Sequence, residues 1–169
     1  MSWFEPLRRL AVAGLVLGFG AALGACSFSP VYSGALASQP MLNLAYAKPT
    51  SRLEQVVYQE LALRFGSSDA PTAPLASVSV SASSDDIGRS KTSNPNAAYR
   101  VTVTASLTIT HRDGTQGERL AFTRTASADY TTSGQVLADT AAATEAGERA
   151  AKAAAESLRL AVLAALARQ

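Results

Sequence analysis

The chain has 169 residues, 47% hydrophobic, 17% charged and 7% aromatic, with 15 cations against 13 anions and a formal net charge of +2. That length is one ordinary domain, and the apolar content excludes a wholly disordered chain. The nearly balanced charges, spread along the sequence without a Lys/Arg cluster, exclude nucleic-acid binding through a basic field. A single cysteine excludes an internal disulfide and a Cys-rich zinc site.

The N-terminus reads as an address. Arg8 and Arg9 precede an apolar run from Leu10 to Leu23. A run of about 14 residues falls short of the roughly 20 needed to cross a bilayer and suits the hydrophobic region of a secretory signal. It closes in Leu23-Gly24-Ala25-Cys26, the pattern of a bacterial lipobox. Small residues before the cysteine fit a narrow peptidase site, and the thiol is the nucleophile that receives the diacylglycerol. The expectation is a signal peptide over 1–25, an acylated, extended lead-in over 26–40 beginning at Cys26, and one α+β periplasmic domain over 41–169. Each buried acyl methylene contributes about 0.8 kcal/mol, so several chains on one residue anchor firmly. Ser27, in place of the Asp that retains many lipoproteins at the inner membrane, points to a lipid anchor in the outer membrane facing the periplasm.

After the lead-in, Leu42, Leu44 and Tyr46 alternate with polar or small residues and predict a short strand. Lys48-Pro49-Thr50 stops it. Ser51 with Glu54 three residues on is a capping-box pattern, and Leu53, Val57 and Leu61 follow at helical spacing, with Gly66 at the C′ position. Three strands come next. Ala76, Val78, Val80 and Ala82 alternate with serines. Tyr99, Val101, Val103, Ala105, Leu107 and Ile109 share one face of the second, opposite Arg100 and a row of Thr and Ser. Asp113-Gly114 signals a hairpin. Leu120, Phe122, Ala126, Ala128 and Tyr130 continue the apolar face, and Arg124 interrupts it, which predicts a bulge or an edge position. A long Ala-rich helix from about Gln135 to Ala167 closes the chain. It carries a charged stripe through Glu145, Glu148, Arg149, Lys152, Glu156 and Arg159, with Glu145–Arg149 and Glu148–Lys152 at i,i+4 spacing. Gly147 predicts a bend or a tight contact. The order β-α-β-β-β-α predicts an α+β fold: a mixed four-stranded sheet with two helices packed on one face.

Catalytic patterns are missing from the sequence. His111 is the single histidine, at a hairpin tip, and no nucleophile elbow, zinc-binding helix or phosphate loop is present. Asp85-Asp86 lacks a third acidic or His partner. The expectation is a protein that is not an enzyme and uses no cofactor or metal. Ser83 to Asn96 reads as a long polar loop carrying Arg89 and Lys91, two cations able to meet phosphates through charge-assisted hydrogen bonds.

With these features in place, the sequence resembles the alphaproteobacterial form of the LPS-assembly lipoprotein family LptE. The motif Cys26-Ser27-Phe28-Ser29-Pro30-Val31-Tyr32-Ser33-Gly34 is similar to the family's Cys-Gly-Phe-x-Pro-Leu-Tyr-Gly. The capped helix from Ser51, the strand start Ala97-Ala98-Tyr99, Tyr130 and the Ala-rich helix resemble it as well. The resemblance implies a partner of the outer-membrane barrel LptD, acting as its plug and assembly factor and contacting lipopolysaccharide. On that reading Arg89, Lys91, Arg100 and Arg112 are the candidate lipopolysaccharide-binding residues, with Cys26 the lipid attachment site. An accessory lipoprotein of a lipid-transport ABC system is the alternative.

Overall fold

The structure, a computed structural model, describes residues 42–88, 96–112, 114 and 119–168, all within the unit Ser38–Gln169. The lipobox, Cys26 and the lead-in lie outside the described residues.

The elements run β1 (Ala45–Tyr46), α1 (Arg52–Phe65), β2 (Leu75–Asp86), β3 (Ala97–Thr110), β4 (Leu120–Thr132) and α2 (Val136–Leu166). The sheet order is β1-β2-β3-β4. β1 runs parallel to β2, and the other two pairings are antiparallel. Both helices pack on one face, α2 against β3 and β4 and α1 against β2 and α2. This is the α+β arrangement that the order of elements predicts.

The first strand is shorter than its alternation suggests. Asn43 takes φ 45°, a left-handed conformation that breaks an extended run, so the ladder with β2 begins only at Ala45. Leu44 still forms an isolated parallel bridge to Ser67 and is fully buried. Ser51 caps α1 as expected, its hydroxyl accepting the Glu54 N–H at 3.2 Å. Glu54 reaches back to the Thr50 N–H at 2.7 Å and the Thr50 hydroxyl at 2.8 Å, so the reciprocal half of the box falls on Thr50. Gly66, at φ 76°, ends the helix and donates to the Ala62 carbonyl at 3.0 Å.

β3 is the centre of the core. Val101, Val103, Ala105, Leu107 and Ile109 are buried, each on the face that α2 covers. Ala146, Ala150, Ala151, Ala154 and Ala155 of α2 are buried as well, and their small side chains let the helix backbone approach the sheet. Gly147 is at a close crossing with α1: an added Cβ would meet Leu53 Cδ2 at 3.7 Å, an ordinary van der Waals contact. The packed face of β2 ends at Val80, because the residues from Ser81 through Gly88 are all exposed. Ala82, expected to pack, is therefore at the surface.

Two further differences concern β2 and the charged stripe. Ser83 to Asp86, read as the start of a loop, continue the strand opposite Thr102 to Tyr99. The long partner strand supplies backbone groups that outweigh the poor strand propensity of Ser and Asp. On α2, Glu145–Arg149 forms at 2.8 Å, but Glu148 turns to Arg52 of α1 at 2.9 Å. Arg159 is buried rather than solvated, and its guanidinium holds Glu156 through two hydrogen bonds, one of them Nε to Oε2 at 2.9 Å. That pairing keeps the Glu156 carboxyl below its ordinary range.

Candidate functional site

Among the described residues no helix covers the second face of the sheet, and hydroxyl side chains dominate it. Strict alternation turns every odd residue of β2 and β4 and every even residue of β3 to this side. The registers then stack them in rows: Ser79–Ser106–Thr123, Ser81–Thr104–Thr125 and Ser83–Thr102–Ser127. Hydroxyl pairs run along these rows at 2.9 Å for Ser106–Thr123 and 3.1 Å for Thr104–Thr125 and Thr102–Ser127. Each hydroxyl both donates and accepts, so a paired hydroxyl keeps capacity for a further polar partner. The middle of the face carries no charge.

The next row, Asp85–Arg100–Asp129, closes the face at one end. The Arg100 guanidinium donates to both Asp129 oxygens at 2.7 and 2.8 Å. This fork, the main cause, holds the Asp129 carboxyl below its ordinary range and raises Arg100. Asp129 was not singled out in the sequence. The turn signal at Asp113-Gly114 does place the hairpin centre near residue 114, and folding the chain there brings 100 opposite 129.

Arg112 is at the other end of the sheet, donating to the Ala73 carbonyl at 2.8 Å. Twelve positions separate it from Arg100, roughly 40 Å at about 3.3 Å per strand residue. The structure thus separates Arg100 from Arg112. Arg89 and Lys91 lie outside the described residues. The nearest described strand residues on either side of them in sequence, Asp86 and Ala97, are at the Arg100 end of the sheet. Asp86, from the carboxylate pair, accepts the Gly88 N–H at 2.8 Å. Among the described residues no group of three or more His, Cys, Asp or Glu could hold a metal, and none of their helices is long and apolar enough to cross a membrane. His111 is exposed.

On the helix side, the edge of β2 is closed by α1. Beyond the two-residue β1, the Tyr58 hydroxyl accepts the Val78 N–H at 2.8 Å. One turn earlier, the Val80 backbone is close enough to the Glu54 carboxylate to help lower it. Sequence periodicity places both residues on the helix but does not reveal that they approach a strand edge.

The described residues form an α+β unit whose sheet carries helices on one face and a hydroxyl-lined second face. The family model LptE, Lipopolysaccharide-assembly, matches residues 41–162, and the chain belongs to that family. Among solved structures, a Caulobacter crescentus protein described as a lipoprotein is similar, with 21% identity, TM-score 0.53, and coverage of 76% of this chain and 94% of that one. The rare lipoprotein B of Shewanella oneidensis matches at 16% identity and TM-score 0.52, covering 73% and 93%. A minor lipoprotein of Acinetobacter baumannii matches at 16% identity and TM-score 0.50, covering 69% and 84%. These likenesses show a shared fold. No curated protein matches the chain.

Proposed function

We propose that this chain is a non-enzymatic outer-membrane lipoprotein, anchored through acylated Cys26 and facing the periplasm, that partners the barrel LptD as plug and assembly factor. Membership of the lipopolysaccharide-assembly family supports the process. The observation that carries the plug role is the open face of paired hydroxyls, Ser79–Ser106–Thr123 to Ser83–Thr102–Ser127. A barrel lumen is polar, and a flat, uncharged hydroxyl surface can meet it without burying an unpaired charge. Lipopolysaccharide contact falls to local cations, because a net charge of +2 provides no general field. Arg89 and Lys91 are the leading pair, with Arg100 at one end of the sheet and Arg112 as a separate contact at the other.

Affinity purification of the tagged full chain from detergent-solubilised outer membranes tests this reading, and LptD is expected in the eluate. Ser79→Lys with Ser127→Lys, exposed positions in different rows of that face, buries two charges against the lumen and should lose LptD while the melting temperature stays near that of the parent. Recovery of ABC-transporter components without LptD would overturn the proposal and favour the alternative.

A further inference from the structure

The outer edge of β4 poses a physical problem of its own. β4 has 13 residues, contains no proline, and pairs with β3 without a bulge from Leu120 to Thr132. It is also the terminal strand of the sheet. A long, regular edge of this kind is a template for another strand. On the opposite side of the sheet, β1 and Tyr58 occupy edge groups of β2. β4 has no covering element of that kind among the described residues.

The register shows which groups are open. Ala47 donates to the Ala76 carbonyl, and the Val78 N–H reaches Tyr58, so the even residues of β2 face its outer edge. Carried through the two antiparallel registers, this turns the backbone of the odd residues of β4 outward. Two arginines meet that row. Arg124 donates to the Thr123 carbonyl at 2.8 Å, and Arg149 of α2 donates to the Asp129 carbonyl at 3.0 Å. Arg149 also pairs with Glu145. Arg124 has no carboxylate within ion-pair distance among the described residues.

We infer that the β4 edge is self-complementary, fitting the β4 of a second copy of this chain, and that Arg124 keeps it closed. An antiparallel pairing centred on Thr125 sets Thr123 against Ser127 of the second copy, and the hydroxyl rows of the sheet continue across the junction. On the helix side the same pairing sets Arg124 against Ala126 and brings the two Arg124 side chains to diagonal neighbours, about 7–8 Å apart. Centring on Arg124 places them directly opposite, closer still. In either register two exposed guanidiniums without a carboxylate partner among the described residues meet at the junction. Like charges across a strand pair are destabilising, and charged side chains on the edge are a recognised defence of edge strands. Arg124 is the one position on this face of β4 where the sequence departs from apolar or small residues. Its place inside the strand, two residues from the midpoint of Leu120–Thr132, lets a single charge oppose the registers that pair most of β4.

Sedimentation velocity of the full chain in a non-ionic detergent, over a range of protein concentrations, tests this inference. The parent and Arg124→Lys are expected to remain monomeric. Arg124→Val is expected to dimerise at least tenfold more tightly, and Arg124→Thr guards against a folding defect specific to valine, with circular dichroism confirming the fold of both. Thr125→Cys placed in the dimerising variant should give a disulfide-linked dimer, whereas Ser79→Cys on β2 should not. Monomeric behaviour of both folded variants, cross-linking through Ser79→Cys instead of Thr125→Cys, or equal dimerisation by Arg124→Lys would each overturn it.

Discussion

The Tyr58 hydroxyl and the Val78 N–H are 2.8 Å apart, so a side chain of α1 occupies the position that a longer first strand would fill. β1 pairs only Ala45 and Tyr46 with β2. The helix finishes the edge, and one turn earlier the Glu54 carboxylate comes near the Val80 backbone, which helps to lower it. This pair of contacts fixes α1 to the sheet in both register and rotation.

Tyr58→Phe is expected to leave the buried Val78 N–H without a partner while conserving the ring. An unsatisfied buried amide costs about 1–3 kcal/mol. Denaturant unfolding should show a lower midpoint with an unchanged slope, because the packing and the surface exposed on unfolding are nearly conserved.

Glu54 and Tyr46 make stability depend on pH in opposite directions. The Thr50 N–H is the largest cause that lowers the Glu54 carboxyl, followed by the Thr50 hydroxyl, and these outweigh its burial. A carboxyl whose folded value lies below its unfolded value stabilises fully above the unfolded value, and that contribution is lost as pH falls through the folded one. Tyr46 behaves as the alkaline counterpart: burial pushes its phenol up from 10.0 to about 12. Its contribution is complete below pH 10 and is lost as pH rises towards 12. Melting temperatures across the pH range should show a shallower acid limb in Glu54→Gln and a shallower alkaline limb in Tyr46→Phe.

The two faces of β3 should respond differently to truncation. Leu107 is fully buried, and Leu107→Ala is expected to cost about 2–5 kcal/mol. Thr104 faces the open side, with its hydroxyl 3.1 Å from that of Thr125. Thr104→Ala should cost about 1 kcal/mol or less. Equal losses in chemical denaturation would contradict the facing.

Gly147→Ala should stabilise the protein. The residue is inside α2, its φ is not in the left-handed region, and an added Cβ would meet Leu53 Cδ2 at an ordinary 3.7 Å. Replacing an interior helical Gly by Ala is worth about 1 kcal/mol, which differential scanning calorimetry would record as a higher melting temperature.

Reversing Arg89 and Lys91 to Glu is expected to weaken lipopolysaccharide binding in a salt-sensitive manner. The measurement is a binding titration of the double variant at low and high ionic strength, with the melting temperature as control. Surface charges contribute little to stability, so the control should hardly move. Unchanged binding with an intact fold would remove these residues from the site.

Much of the architecture follows from local chemistry in the sequence. Ser51 and Glu54 start α1 and Gly66 ends it, because caps act within a few residues. The alternation from Tyr99 to Thr110 assigns one face of β3 to the core and the other to solvent, because side chains alternate along any strand. The uncharged hydroxyl face is legible for the same reason.

Tertiary structure decided what depends on partners distant in the chain. Ser83 to Asp86 extend β2 because β3 is beside them, which their own composition opposes. Glu148 pairs with Arg52 instead of Lys152 because α1 crosses α2 at Gly147. Arg100 and Arg112 are at opposite ends of one strand, held by Asp129 and by the Ala73 carbonyl, although the sequence puts them around one hairpin. Local periodicity fixes the direction in which a side chain leaves its own element. Its final partner is set by the packing of elements, a sum over contacts between residues tens of positions apart.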